Sequence, residues 1–76
     1  MTPQQAARKE KRDILRALYG GMMTLADLTH ELGYTDPKSA RRWVEDTGLP
    51  ATAFGGRKKY DTDEVARVLV DRRGMA

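Results

Sequence analysis

The chain predicts a mainly α-helical domain with one small β-hairpin, in the order helix, helix, helix, hairpin, helix. Three observations carry this expectation. Helix-start signals recur at Thr24, Asp36 and Asp61, each a short polar side chain able to accept from the free N–H groups of a first turn. Apolar-periodic segments end at Gly20-Gly21, Gly33, Gly48 and Gly74, and glycine tolerates the left-handed conformation that closes a helix. Two strand-like runs, Ala51 to Phe54 and Arg57 to Tyr60, flank Gly55-Gly56, a pair that supplies the positive φ values of a tight hairpin turn.

Residues 1–12 are polar except for Met1, Pro3, Ala6 and Ala7. They read as a basic N-terminal arm or a frayed helix, with the main domain over 13–76. From Asp13 the pattern changes: Ile14, Leu15 and Leu18, with Ala17 and Tyr19 alongside, make an apolar face that closes at Gly20. The spacing leaves open whether this helix runs back to Pro3. Thr24 followed three residues on by Asp27 resembles a capping box, and Leu25, Leu28 and Leu32 then share a face, predicting a short second helix. Only Tyr34 and Thr35 separate Gly33 from the cap at Asp36. Two helices joined by so tight a turn predict a helix-turn-helix, whose second member enters the major groove of DNA.

Pro37 suits the first turn of that second member, because its missing N–H bonds nothing there. Along it, Ala40, Trp43 and Val44 fall on one face, and Lys38, Ser39, Arg41 and Arg42 mostly on the other, so one side is built to pack and the other to meet negative charge. Pro50, lacking an N–H, belongs at the start or edge of the following strand. Asp61 with Glu64 three residues on starts a last helix from about Thr62 to Arg73, with Val65, Val68 and Leu69 as its apolar stripe and Arg72 and Arg73 at the negative end of its dipole.

Composition bounds the function. With 76 residues the chain makes one small domain with a modest core. It has no Cys, which excludes disulfides and thiolate metal sites and fits a reducing cytoplasm. No apolar run approaches the roughly 20 residues of a membrane span, and the N-terminus lacks the apolar stretch of a signal peptide. The expectation is a cytoplasmic, nucleoid-associated protein with no membrane partner. Net charge is +3 and the pI about 9.5, so placement matters more than the sum. Cations cluster at Arg8, Lys9, Lys11, Arg12 and Arg16, at Lys38, Arg41 and Arg42, and at Arg57, Lys58 and Lys59. Three patches of one sign suggest a polyanion held at several points, against the plainer reading of solvated faces.

From Thr24 to Leu69 the chain resembles the winged helix-turn-helix domains of phage and mobile-element excisionases and of the DNA-binding ends of MerR-type regulators. The residues that carry this are Thr24-Leu25-Ala26-Asp27-Leu28, Ser39-Ala40-Arg41-Arg42-Trp43-Val44, Gly48-Leu49-Pro50, Gly56-Arg57-Lys58-Lys59-Tyr60 and Asp63-Glu64-Val65. The resemblance implies a winged helix-turn-helix with an extra N-terminal helix, Arg41 and Arg42 on the recognition helix, and Arg57 to Lys59 as a wing along a neighbouring groove or phosphate run. It also implies a role near recombination sites, bending double-stranded DNA to favour excision by an integrase. Tyr34 to Lys38 is slightly longer than the family's usual turn. Whether copies self-associate cooperatively along DNA is left open.

Lys38, Ser39, Arg41, Arg42, Arg57, Lys58 and Lys59 are thus the expected DNA-binding residues, with Arg8, Lys9, Lys11 and Arg12 as further phosphate contacts. Adjacent helix positions point about 100° apart, so Arg41 and Arg42 are expected to divide into one base contact and one phosphate contact, Arg41 being narrowly preferred for the base. The competing reading pairs one of them with Glu45 or Asp46. Trp43 is expected in the core, since it shares a face with Ala40 and Val44. No catalytic residue, cofactor or metal is expected. His30 stands alone, and Asp61, Asp63 and Glu64 at a helix start are explained by capping. Three alternative roles remain: a small phage or plasmid transcriptional regulator, a DNA-recognition and assembly module of a phage packaging subunit, and, most weakly, an enzyme.

Overall fold

A computed structural model describes residues 1–74 of the chain; Met75 and Ala76 of the expected domain lie outside them. Four helices and three short strands follow one another as α1 (Pro3–Tyr19), β1 (Met22–Met23), α2 (Leu25–Glu31), α3 (Pro37–Thr47), β2 (Thr52–Phe54), β3 (Arg57–Asp61) and α4 (Thr62–Gly74). The architecture is mainly helical, with one small antiparallel sheet in the order β1-β3-β2.

Helix α1 runs without a break from Pro3. Its start is a capping box: Thr2 Oγ1 accepts from the Gln5 N–H at 3.1 Å and Gln5 Oε1 accepts from the Thr2 N–H at 2.9 Å, satisfying two N–H groups that a helix start leaves open. The helix then lies antiparallel to α4, as the pairs Arg8–Asp71 and Arg16–Asp63 show. The apolar face expected for this helix is only partly used. Leu15 is fully buried and Tyr19 packs against the core, whereas Ile14 is 48% and Leu18 64% exposed. Docking follows the line Arg8, Lys11, Leu15, Tyr19, and Ile14 and Leu18 lie to one side of it at about 100° per residue.

Strand β1 is absent from the sequence expectation, because two methionines carry neither alternation nor β-branched character. Its register is Met22 opposite Asp61 and Met23 opposite Tyr60, which makes β3 the central strand. β2 pairs with the outer part of β3, Thr52 opposite Lys59 through Phe54 opposite Arg57, around the positive-φ pair Gly55 and Gly56 (φ 56° and 83°). Thr62, fully buried, ties this sheet back to the end of α1 by donating from Oγ1 to the Gly20 carbonyl at 2.7 Å.

The core gathers Leu15, Met23, Leu28, Leu49, Tyr60, Val65, Ala66, Val68 and Leu69, with Trp43 and Val44 half-buried against it. The expected caps of the two middle helices are present. Thr24 and Asp27 form a reciprocal box at 3.1 and 3.0 Å. Asp36 Oδ1 accepts from the Lys38 N–H at 2.9 Å with Pro37 at the first helical position. At the start of α4, Asp61 Oδ1 accepts from the Asp63 N–H at 2.8 Å, while Glu64, expected to complete the signal, pairs instead with Arg67 at 2.8 Å.

Candidate functional site

Helix α3 presents its cations through the way it is seated. Ala40 is fully buried, and Trp43 and Val44 flank it half-buried, which defines the inward direction. Taking about 100° per residue, Lys38 and Arg42 each point roughly 160° from Ala40, on opposite sides of the outward line. Arg41 lies roughly 100° round, on one shoulder. Lys38, Ser39, Arg41 and Arg42 are all exposed, and among the described residues neither arginine forms an ion pair with Glu45 or Asp46, so the competing reading of that pair is not realised.

The hairpin supplies the second group. Arg57 and Lys58 are exposed and Lys59 half-buried. Tyr60, next along β3, is only 4% exposed, so a buried aromatic anchors the strand that carries the cations outward. Between hairpin and helices runs an open groove lined by the start of α2 (Thr24, Leu25 and Ala26), by Arg41, and by Gly56 through Tyr60. Arg41 faces it; Lys38, Ser39 and Arg42 do not line it. The Phe54 side chain lies outside what the structure describes.

The N-terminal cations are placed differently. Arg8 bonds Asp71 at 2.7 Å, and Lys11 bonds Glu31 at 3.0 Å with both side chains only 17% exposed. Arg16 bonds Asp63 at 2.8 Å. Arg12 makes a longer contact, 3.4 Å, with Asp13. Lys9 is exposed and has no ion pair among the described residues. The first basic patch therefore works largely as the seam that holds α1 to α4 and α2, and Lys38, Arg41, Arg42, Arg57 and Lys58 keep their charge available to solvent.

One further polar cluster lies apart from these cations. Tyr19 Oη lies 2.9 Å from His30 Nδ1 and 3.2 Å from Glu31 Oε1; burial first, and then the Glu31 carboxylate, raise the Tyr19 phenol above its ordinary value. This bridges α1 and α2. Among the described residues no group of three His, Asp or Glu side chains is placed to hold a metal ion, and no helix is long and apolar enough to cross a membrane.

Arg72 is a functional candidate that sequence reasoning assigned elsewhere. Expected to serve the dipole of its own helix, it donates to the Asp46 carbonyl at 3.1 Å, in the last turn of α3. Nothing local in the sequence signals a contact that spans helices 26 residues apart. No protein-family model, curated protein or solved structure matches the chain.

Proposed function

We propose that the protein is a sequence-specific duplex-DNA-binding factor in which α2 and α3 act as a helix-turn-helix and the β2–β3 hairpin as a wing. One observation carries the reading: among the described residues Lys38, Arg41 and Arg42 on α3 and Arg57 and Lys58 on the neighbouring hairpin are exposed and form no ion pair, while Arg8, Lys11 and Arg16 on α1 are neutralised within the fold. A helix with a cationic outer ridge fits the roughly 12 Å major groove, and a two-stranded ribbon beside it reaches the adjoining backbone or minor groove. The excisionase role, a non-catalytic bend that biases an integrase toward excision, belongs to this proposal through the resemblance of residues 24–69.

Selection of binding sites from random duplexes, followed by titration of the selected site across salt concentrations, tests it. Enrichment of a common motif is expected, with a log–log salt slope of about −3 to −5 for roughly four or five phosphates neutralised. No enrichment together with a slope near zero refutes the reading. Stimulation of integrase-mediated excision by the purified protein tests the excision role separately.

A further inference from the structure

Resting on that reading, we infer that Arg42 reads the bases while Arg41 clamps a phosphodiester strand against the wing, the reverse of the preference that the sequence gives on spacing alone. Three observations converge on this division of labour.

The first is direction. Arg42, with Lys38 one turn before it, straddles the line directly opposite the buried Ala40, whereas Arg41 sits on the shoulder at roughly 100°. In a helix lying in the major groove, the side opposite the protein core faces the base edges. The shoulders face the two sugar–phosphate walls.

The second is the groove. Arg41 lines it together with Arg57, Lys58 and Lys59, and Arg42 does not. Major and minor grooves of a duplex alternate, and one backbone strand separates each from the next. If α3 occupies a major groove and the hairpin the neighbouring minor groove, that strand runs between them, along the groove Arg41 shares with the hairpin. Arginine and lysine on both walls then meet the same run of phosphates.

The third is charge on the outer ridge. Glu45 is exposed and lies roughly 140° from Ala40, between the Arg41 shoulder and the outward line. A ridge pressed onto phosphates would set that carboxylate against like charge. Base edges offer it a partner, because the cytosine N4 amino group donates into the major groove, and guanine O6 and N7 accept the two N–H groups of an arginine fork. The outward ridge therefore suits a site containing G·C pairs.

Wild type, Arg41→Ala, Arg41→Lys, Arg42→Ala and Arg42→Lys are compared by site selection from random duplexes and by anisotropy titration across salt, on the selected site and on a scrambled duplex. Both arginines are exposed and make no ion pair among the described residues, and circular dichroism checks that each variant is folded. Arg42→Ala is expected to lose discrimination at one base pair by roughly 5- to 150-fold, and Arg42→Lys not to restore it, because a point charge cannot supply the fork. Arg41→Ala is expected to weaken selected and scrambled duplexes by the same factor and to reduce the salt slope by about 0.9, with Arg41→Lys recovering most of the loss. A changed base preference in Arg41→Ala, or equal sequence-independent losses in both alanine variants, overturns the assignment while leaving DNA binding intact. Wild type that binds neither duplex overturns the parent reading and this one with it.

Discussion

Arg8 donates from Nε and from one terminal nitrogen to the same Asp71 oxygen, at 2.9 and 2.7 Å, across 63 residues of chain. Gln4 donates to that oxygen as well, at 2.8 Å. The N-terminal part of the first helix is thus pinned to the last helix through one carboxylate, and the Arg8 guanidinium holds the Asp71 carboxyl below its ordinary value, helped by Gln4 and Arg67.

A depressed native carboxyl gives stability that is present above the unfolded-state value and is lost as pH falls through the native one. Denaturant unfolding at pH values between about 6 and 2 is expected to show part of the acid decline removed in Asp71→Asn, whose stability at neutral pH is lower than wild type. If the two curves stay parallel down to the lowest pH, Asp71 is not a source of the acid sensitivity.

Deleting residues 2–12 removes the Thr2–Gln5 capping box and the Arg8 and Lys11 pairs. A loss of about 1–3 kcal/mol is expected from one cap and two ion pairs, seen as a lower denaturant midpoint. An unchanged midpoint would mean that the seam between α1 and α4 contributes little.

Thr62→Val keeps the shape of a fully buried side chain but removes the hydroxyl that serves the Gly20 carbonyl. Losing this hydrogen bond costs about 0.5–1.5 kcal/mol, since Gly20 is exposed and water can serve its carbonyl, and calorimetry should register the loss as a drop in Tm. Thr62→Ser, which retains the hydroxyl, is expected to lose less.

Arg72→Ala should barely alter overall stability, since the bond to the Asp46 carbonyl lies at the exposed surface. Its expected signature is local. Amides in the last turn of α3 exchange faster with solvent, and affinity for the selected duplex falls through a less firmly oriented helix. Exchange rates unchanged throughout α3 would show that packing of Ala40, Trp43 and Val44 alone sets its orientation.

Much of this fold was legible because its punctuation is local. Thr24 with Asp27, Asp36 with Pro37, and Gly55-Gly56 each act within a few residues, and each sits where its chemistry requires. What the sequence hid is long-range. Nothing near Met22 announces a strand, since its pairing is decided by Tyr60 and Asp61. The basic residues Arg8, Lys11 and Arg16 look alike in sequence to those of α3, and only their acidic partners, 20 to 63 residues away, set them apart. Arg41 and Arg42 are likewise indistinguishable by type; the groove beside the hairpin separates them.

The pairing of α1 with α4 also bears on the order of folding. Bringing Arg8 to Asp71 closes a 63-residue separation, an entropic toll of roughly 4 kcal/mol by the logarithmic loop term, whereas the α2–α3 turn and the β2–β3 hairpin close over a few residues. The local pieces are expected to order first and the first helix to dock last. Substitutions along the α1–α4 seam would then quicken unfolding and leave the folding rate nearly untouched, the behaviour of contacts absent from the transition state.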